Sequence, residues 1–256
     1  MGTAVESNLW IKRFHDAPTA RTRLICFPHA GGSASYYHSL SAALQPDVEL
    51  LAVQYPGRQE RYTEEPLRDL RELADQVALA VGRYVAGPRP VVFLGHSMGS
   101  AVAYEVALQL QQQTEGIGGP VGLFVSGRRA PSCARRDYPA HLLDDPGLIE
   151  VLKQHGGTDP LLFEEPLLMK MILPTIRADY EAITEYTYHP GPELTCQITA
   201  LIGDKDPGVT SAEAEEWRKH TTGDFELNVF KGGHFYINEN QADVVSLIRR
   251  RVAAHA

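Results

Sequence analysis

The chain has 256 residues, 43% of them hydrophobic and 22% charged, with a formal net charge of −8. That composition suits a globular protein with a sizeable core, and the acidic balance argues against nucleic acid as a general partner, because phosphate binding wants a basic surface. No run approaches the roughly 18 apolar residues of a bilayer span, no basic-then-apolar leader opens the chain, and Cys26, Cys133 and Cys196 lack metal-type spacing. A cytoplasmic protein without membrane, disulfide, metal or cofactor is therefore the expectation.

In chain order, Leu24-Ile25-Cys26-Phe27 is a short run apolar on both faces, the pattern of a buried parallel strand. It opens into Pro28-His29-Ala30-Gly31-Gly32-Ser33, where small residues let the backbone approach a ligand. A second such strand is Leu50 to Val53. Leu67, Leu70, Leu73, Val77, Val81 and Val85 then recur at spacings of three and four, with Arg68, Asp69, Arg71 and Glu72 opposite, which predicts an amphipathic helix.

The apolar run Val91 to Leu94 leads into Gly95-His96-Ser97-Met98-Gly99, followed by the small residues Ser100, Ala101 and Ala103. A strand, a Gly-x-Ser-x-Gly turn and a helix in that order form a nucleophile elbow, with the serine at its strained apex. After a further strand at Leu123 to Val125, the rhythm breaks. Residues 128–192 contain no convincing strand, and Leu148 to Leu152 and Leu167 to Tyr188 look helical, with Pro174 expected to kink or divide the second. So long a helical insertion suggests a lid, with packing helices that gate nothing as the alternative. Strands resume at Ile198 to Ile202, before Gly203-Asp204-Lys205-Asp206-Pro207, and at Phe225 to Phe230, before Lys231-Gly232-Gly233-His234.

The alternation predicts one α/β domain over residues 1–256, a mostly parallel sheet flanked by helices, with a lid insertion at about 128–192. A serine hydroxyl needs a base held by an acid, and after this elbow the chain order is serine, acid, histidine. Of ten histidines, only His234 follows a late strand on a glycine-freed loop. His96 adjoins Ser97, where the turn should point its ring away, and His155 lies in the lid. Asp206, beside Pro207, is preferred as the acid; Asp204 is the alternative, with turn stabilisation as its other role. The oxyanion needs preorganised donors. The Met98 amide, at a helix N-terminus, is one, and the Ala30 amide is the other, since Pro28 has no N–H.

At this point the chain resembles the type II thioesterases that accompany polyketide synthases and nonribosomal peptide synthetases, within the α/β-hydrolase superfamily. The resemblance rests on Phe27 to Gly32, Tyr55-Pro56-Gly57-Arg58, Gly95 to Gly99 with Tyr104-Glu105, Ser126 to Pro131, Gly203 to Pro207 and Gly232 to Phe235. It implies the α/β-hydrolase fold and hydrolysis of acyl groups from the phosphopantetheine arm of acyl or peptidyl carrier proteins, as an editing or release step. It also implies Ser97, Asp206 and His234 as triad, with the Ala30 and Met98 amides as oxyanion hole. Arg128, Arg129, Arg135 and Arg136 at the lid base, with Arg58 and Arg61, are candidates to meet the pantetheine phosphate or the acidic carrier, with solvated surface arginines as the alternative. The expected protein is a monomer. The rivals are a carboxylesterase or lipase acting on oxygen esters and a catalytically silent binding module.

Overall fold

A computed structural model describes residues 9–113, 118–134, 137–157 and 160–254. Among these residues there are seven strands: β1 Ile11–Lys12, β2 Thr22–Phe27, β3 Val48–Val53, β4 Val91–His96, β5 Gly122–Ser126, β6 Gln197–Gly203 and β7 Phe225–Phe230. They form one sheet in the order β1-β3-β2-β4-β5-β6-β7, parallel throughout except for β1 against β3. This is the mostly parallel, helix-flanked sheet of an α/β hydrolase. The two-residue edge strand β1 escaped the sequence reading because Ile11 and Lys12 carry no apolar run.

The helices are α1 His38–Leu44, α2 Leu70–Val85, α3 Met98–Gln113, α4 Asp145–His155, α5 Pro166–Glu185, α6 Ser211–Glu215, α7 Tyr236–Glu239 and α8 Gln241–Ala253. Successive strand residues feed opposite faces of the sheet. Ile25, Phe27, Phe93 and Val125 pack with the inner faces of α2 and α3, whereas Leu24, Cys26, Leu94 and Phe124 pack with α1 and α8. Both faces are therefore covered, and the strands are apolar without alternation for that reason. Helix α2 starts three residues later than the apolar stripe suggests. Asp69, assigned to a polar face, instead caps the helix, its carboxylate accepting the Arg71 and Glu72 amides.

No strand occurs among the described residues of 128–192. Helices α4 and α5 share a small apolar core of their own, with Leu148 and Leu152 against Met169, Leu173 and Ile176. Pro174 does not divide α5, which runs unbroken from Pro166 to Glu185. The buried stripe Leu173, Ile176, Ala182 and Ile183 continues on both sides of the proline, so packing holds the helix across the lost N–H. Among the described residues, no helix is long and apolar enough to cross a membrane.

Candidate active site

The elbow's backbone follows from crowding. A Cβ on Gly95 would lie 2.2 Å from the Gly99 carbonyl oxygen, and one on Gly99 would lie 2.0 Å from that of Phe27. Only glycine at both positions lets α3 leave β4 so close to β2. Ser97 between them has φ +54°, a left-handed conformation that costs a non-glycine residue free energy and marks a constrained site. Its amide donates to the Ser126 carbonyl at 2.7 Å, and its carbonyl accepts the Ser100 amide at 3.0 Å. The Ser100 hydroxyl donates to Gly95 O and accepts the Ser126 amide, tying the turn to β5.

Ser97 lines a cavity of about 180 Å³ at the carboxyl ends of the strands, together with Ala30, Met98, His155 and His234. Crevices at that edge of an open parallel sheet are where such folds bind ligands. Met98 is the first residue of α3, so its N–H belongs to the unsatisfied, positively polarised helix end. Ala30 comes from the loop after β2, so this loop and the start of α3, distant in sequence, line one space.

His234 and Asp206 are joined directly. His234 Nδ1 donates to Asp206 Oδ2 at 2.8 Å, with the Asp206 side chain fully buried and the ring 11% exposed. The other carboxylate oxygen accepts the Gly208 amide at 2.7 Å, which fixes the carboxylate plane. Asp204 faces elsewhere: it accepts the Gly232 amide at 2.9 Å, while the Lys205 amide donates to Gly232 O, so this aspartate laces the acid loop to the histidine loop.

Behind His234 lies a column of imidazoles. His96 turns inward, its ring centroid 5.1 Å from that of His234, and His29 packs edge-on against His96 at 5.8 Å. Burial, then repulsion from His234, holds both pKa values down, that of His29 at about 3. His96 Nδ1 lies 2.9 Å from the Ser126 hydroxyl, itself 2.6 Å from the Tyr236 hydroxyl. On the cavity side, the His155 ring sits 5.9 Å from His234, its pKa lowered by burial and by His234. Sequence order set His155 aside, although its His155-Gly156-Gly157 run offered the same glycine-freed presentation as Gly232-Gly233-His234.

The arginine candidates fare differently. Arg128 and Arg129 both pair with Asp137, at 2.7 and 2.9 Å, and their side chains are only 14% and 6% exposed. Burial pushes the Asp137 carboxyl up, but the two guanidiniums together outweigh it and leave its pKa below the ordinary value. Arg58 and Arg61 do not offer free surface charge. Arg58 is buried against Asp179, and Arg61 is buried between the Glu64 carboxylate and the Trp10 ring. Both are drawn inward because a backbone carbonyl also accepts from each, Gly32 O from Arg58 and Gln54 O from Arg61. Arg135 and Arg136 lie outside the described residues. Cys26, Cys133 and Cys196 are unpaired, and no group of three or more His, Cys, Asp or Glu among the described residues is arranged to hold a metal.

The thioesterase-domain family model matches residues 22–252. The chain is 45% identical over 240 residues to thioesterase PikA5 of Streptomyces venezuelae, covering 94% of this chain and 84% of that protein. It is 34% identical over 247 residues to the gramicidin S biosynthesis protein GrsT of Aneurinibacillus migulanus, covering 96% and 94%. The solved structure of the type II thioesterase BorB from the borrelidin biosynthetic cluster matches with a TM-score of 0.87 at 45% identity, over 94% of this chain and 97% of that one.

Proposed function

The chain belongs to the thioesterase-domain family, and on that footing we propose that Ser97, His234 and Asp206 hydrolyse acyl thioesters carried on the phosphopantetheine arm of acyl or peptidyl carrier proteins. The work it serves is editing or release in polyketide or nonribosomal peptide assembly; BorB is described as a type II thioesterase from the borrelidin biosynthetic cluster and GrsT as a gramicidin S biosynthesis protein. The observation that carries the residue roles is the 2.8 Å contact between His234 and Asp206 beside a cavity that Ser97 also lines.

In this mechanism His234 Nε2 takes the Ser97 proton as Oγ attacks the thioester carbonyl. Asp206 holds the proton on Nδ1 and stabilises the imidazolium. The amides of Ala30 and Met98 receive the developing oxyanion. Collapse breaks the carbon–sulfur bond, and His234 returns its proton to the leaving thiolate. Water then attacks the acyl-serine, His234 accepts its proton and passes it to Oγ, and the free acid departs. The buried neutral rings of His96 and His29 suit this cycle, because a further positive charge there would oppose the imidazolium at His234.

Residues 128–192 act as the lid of a single domain, with α4 and His155 closing the cavity from above. A pantetheine phosphate reaching Arg128 or Arg129 shares them with Asp137. The enzyme works as a monomer, and its unpaired cysteines suit a reducing cytoplasm.

Ser97→Ala tests the reading: the folded variant should not turn over an acyl-pantetheine thioester, and near-wild-type turnover would overturn it. Matched thioester and oxygen-ester substrates separate it from a carboxylesterase. Failure of a fluorophosphonate to label Ser97 would favour a silent binding module.

A further inference from the structure

One buried ion pair has no part in the reaction just described, yet it joins three segments at the oxyanion loop. Arg58 and Asp179 meet in two parallel hydrogen bonds of 2.8 Å each, their side chains 8% and 2% exposed. Asp179 belongs to α5, in the lid segment, and Arg58 to the loop after β3. Each partner also grips the loop that carries Ala30. Asp179 Oδ2 accepts the Gly31 amide at 2.7 Å, and Arg58 donates to the Gly32 carbonyl at 2.9 Å. The Gly31 amide and the Gly32 carbonyl, just after Ala30, are thus both held by one ion pair.

Neighbouring contacts follow the same line. The Thr175 hydroxyl, one turn before Asp179 on α5, donates to Gly57 O at 2.6 Å. Gly31 has φ +75°, and a Cβ there would lie 3.0 Å from Ile176 Cγ1, also on α5. The Tyr55 hydroxyl donates to Pro28 O at 3.3 Å, while its ring carries the Arg58 guanidinium 5.2 Å from its centroid. Helix α5 is therefore fastened to the oxyanion loop by polar bonds, whereas α4 meets α5 through the apolar cluster of Leu148, Leu152, Leu173 and Ile176.

We infer that Arg58 and Asp179 are positioning residues that hold the Ala30 amide at the oxyanion through helix α5, so that one helix of the lid segment is a fixed part of the catalytic frame. The inference rests on the proposed role of Ala30. A charge-paired clamp suits the task, because a bidentate guanidinium–carboxylate contact fixes orientation as well as distance. A donor displaced by about 1 Å can cost on the order of 10²-fold in rate. The benefit is confined to the transition state, where the oxygen carries charge, so ground-state binding should be indifferent to it.

The test uses Asp179→Asn and Arg58→Lys, each of which keeps much of the shape while breaking the bidentate pair. Both are assayed on a short acyl-pantetheine thioester and titrated with an alkylboronic acid, which forms a tetrahedral anionic adduct on a serine. The expected result is a folded protein whose kcat falls about tenfold or more. KM should stay within about twofold, and affinity for the boronic acid should weaken in parallel with kcat. Folded variants with wild-type kcat, or a loss confined to KM, would overturn the inference. Failure of both variants to fold would also overturn it, since the pair would then be only structural. Ser97→Ala serves as the control: if it retains activity, the reading of the site fails, not the clamp alone.

Discussion

The His96 imidazole packs directly behind that of His234, ring centroids 5.1 Å apart, and is fully buried. Together with His29, it gives the site a backing of rings that resist protonation: burial comes first as the cause, and the neighbouring imidazole of His234 second. That arrangement has a consequence for stability.

A histidine whose pKa is lower folded than unfolded makes the unfolded chain the better proton binder between the two values. Stability is then undiminished above the ordinary pKa of 6.5 and is lost as pH falls below it, down to about 3 for His29 and about 4 for the buried His220. Each ring should contribute roughly 1 kcal/mol per pH unit within that window. Urea unfolding from pH 7 to pH 5 should show stability dropping, and His29→Phe, which keeps an aromatic ring beside Tyr36 and Phe235, should flatten the slope. A pH-independent unfolding free energy over that range would contradict the buried-neutral assignment.

Asp206 and Asp204 should separate cleanly. Asp206→Asn keeps the loop but offers Nδ1 of His234 no carboxylate, and a wrong tautomer in such a triad costs about 10⁴ in kcat. Asp204→Asn alters only the bond to the Gly232 amide and should lower kcat by less than about threefold, with a stability loss on the order of 1 kcal/mol. Steady-state kinetics with thermal melts on both variants decide it; equal kinetic damage would remove the distinction.

Gly99→Ala and Gly95→Ala place a methyl carbon 2.0 and 2.2 Å from backbone oxygens of Phe27 and Gly99. Rigid backbone cannot yield as a flexible side chain does, so each should cost at least about 3 kcal/mol, beyond ordinary overpacking. Circular dichroism melts check it. A stable, active Gly99→Ala would mean that β2 and α3 are not packed as closely as described.

Asp137 is the shared partner of Arg128 and Arg129, both nearly enclosed. Asp137→Ala leaves two guanidiniums without this counter-charge beside the cavity, a change that should destabilise by on the order of 3 kcal/mol. Asp137→Glu should recover part of it. Denaturant titration gives the values, and an Asp137→Ala midpoint equal to wild type would show that the arginines have adequate alternative partners.

The extent to which the site was legible depended on how local each signal is. Gly95, Ser97 and Gly99 announce the elbow because their crowding lies within five residues, and Val91 to Leu94 announce their strand because burial on both faces leaves no polar position. His234 could be singled out by its place after the last strand, and Asp206 was separated from Asp204 by Pro207 and its depth in the loop. Arg58 and Arg61 were misread as groups facing a carrier for the opposite reason. They carry no local mark of burial, and their partners Asp179 and Trp10 come from distant segments.

By itself the chain determined the succession of the apolar parallel strands, the doubly covered sheet and the residue types at the ends of its strands, because each follows from periodicity and backbone sterics within a short window. Only the tertiary structure decided which charges pair, which rings stack behind His234 and that α5 is bound to the loop carrying Ala30. Arg58 and Asp179 stand 121 positions apart. Nothing in either neighbourhood specifies the other, and their contact exists because the loop after β3 and α5 both meet the loop that carries Ala30.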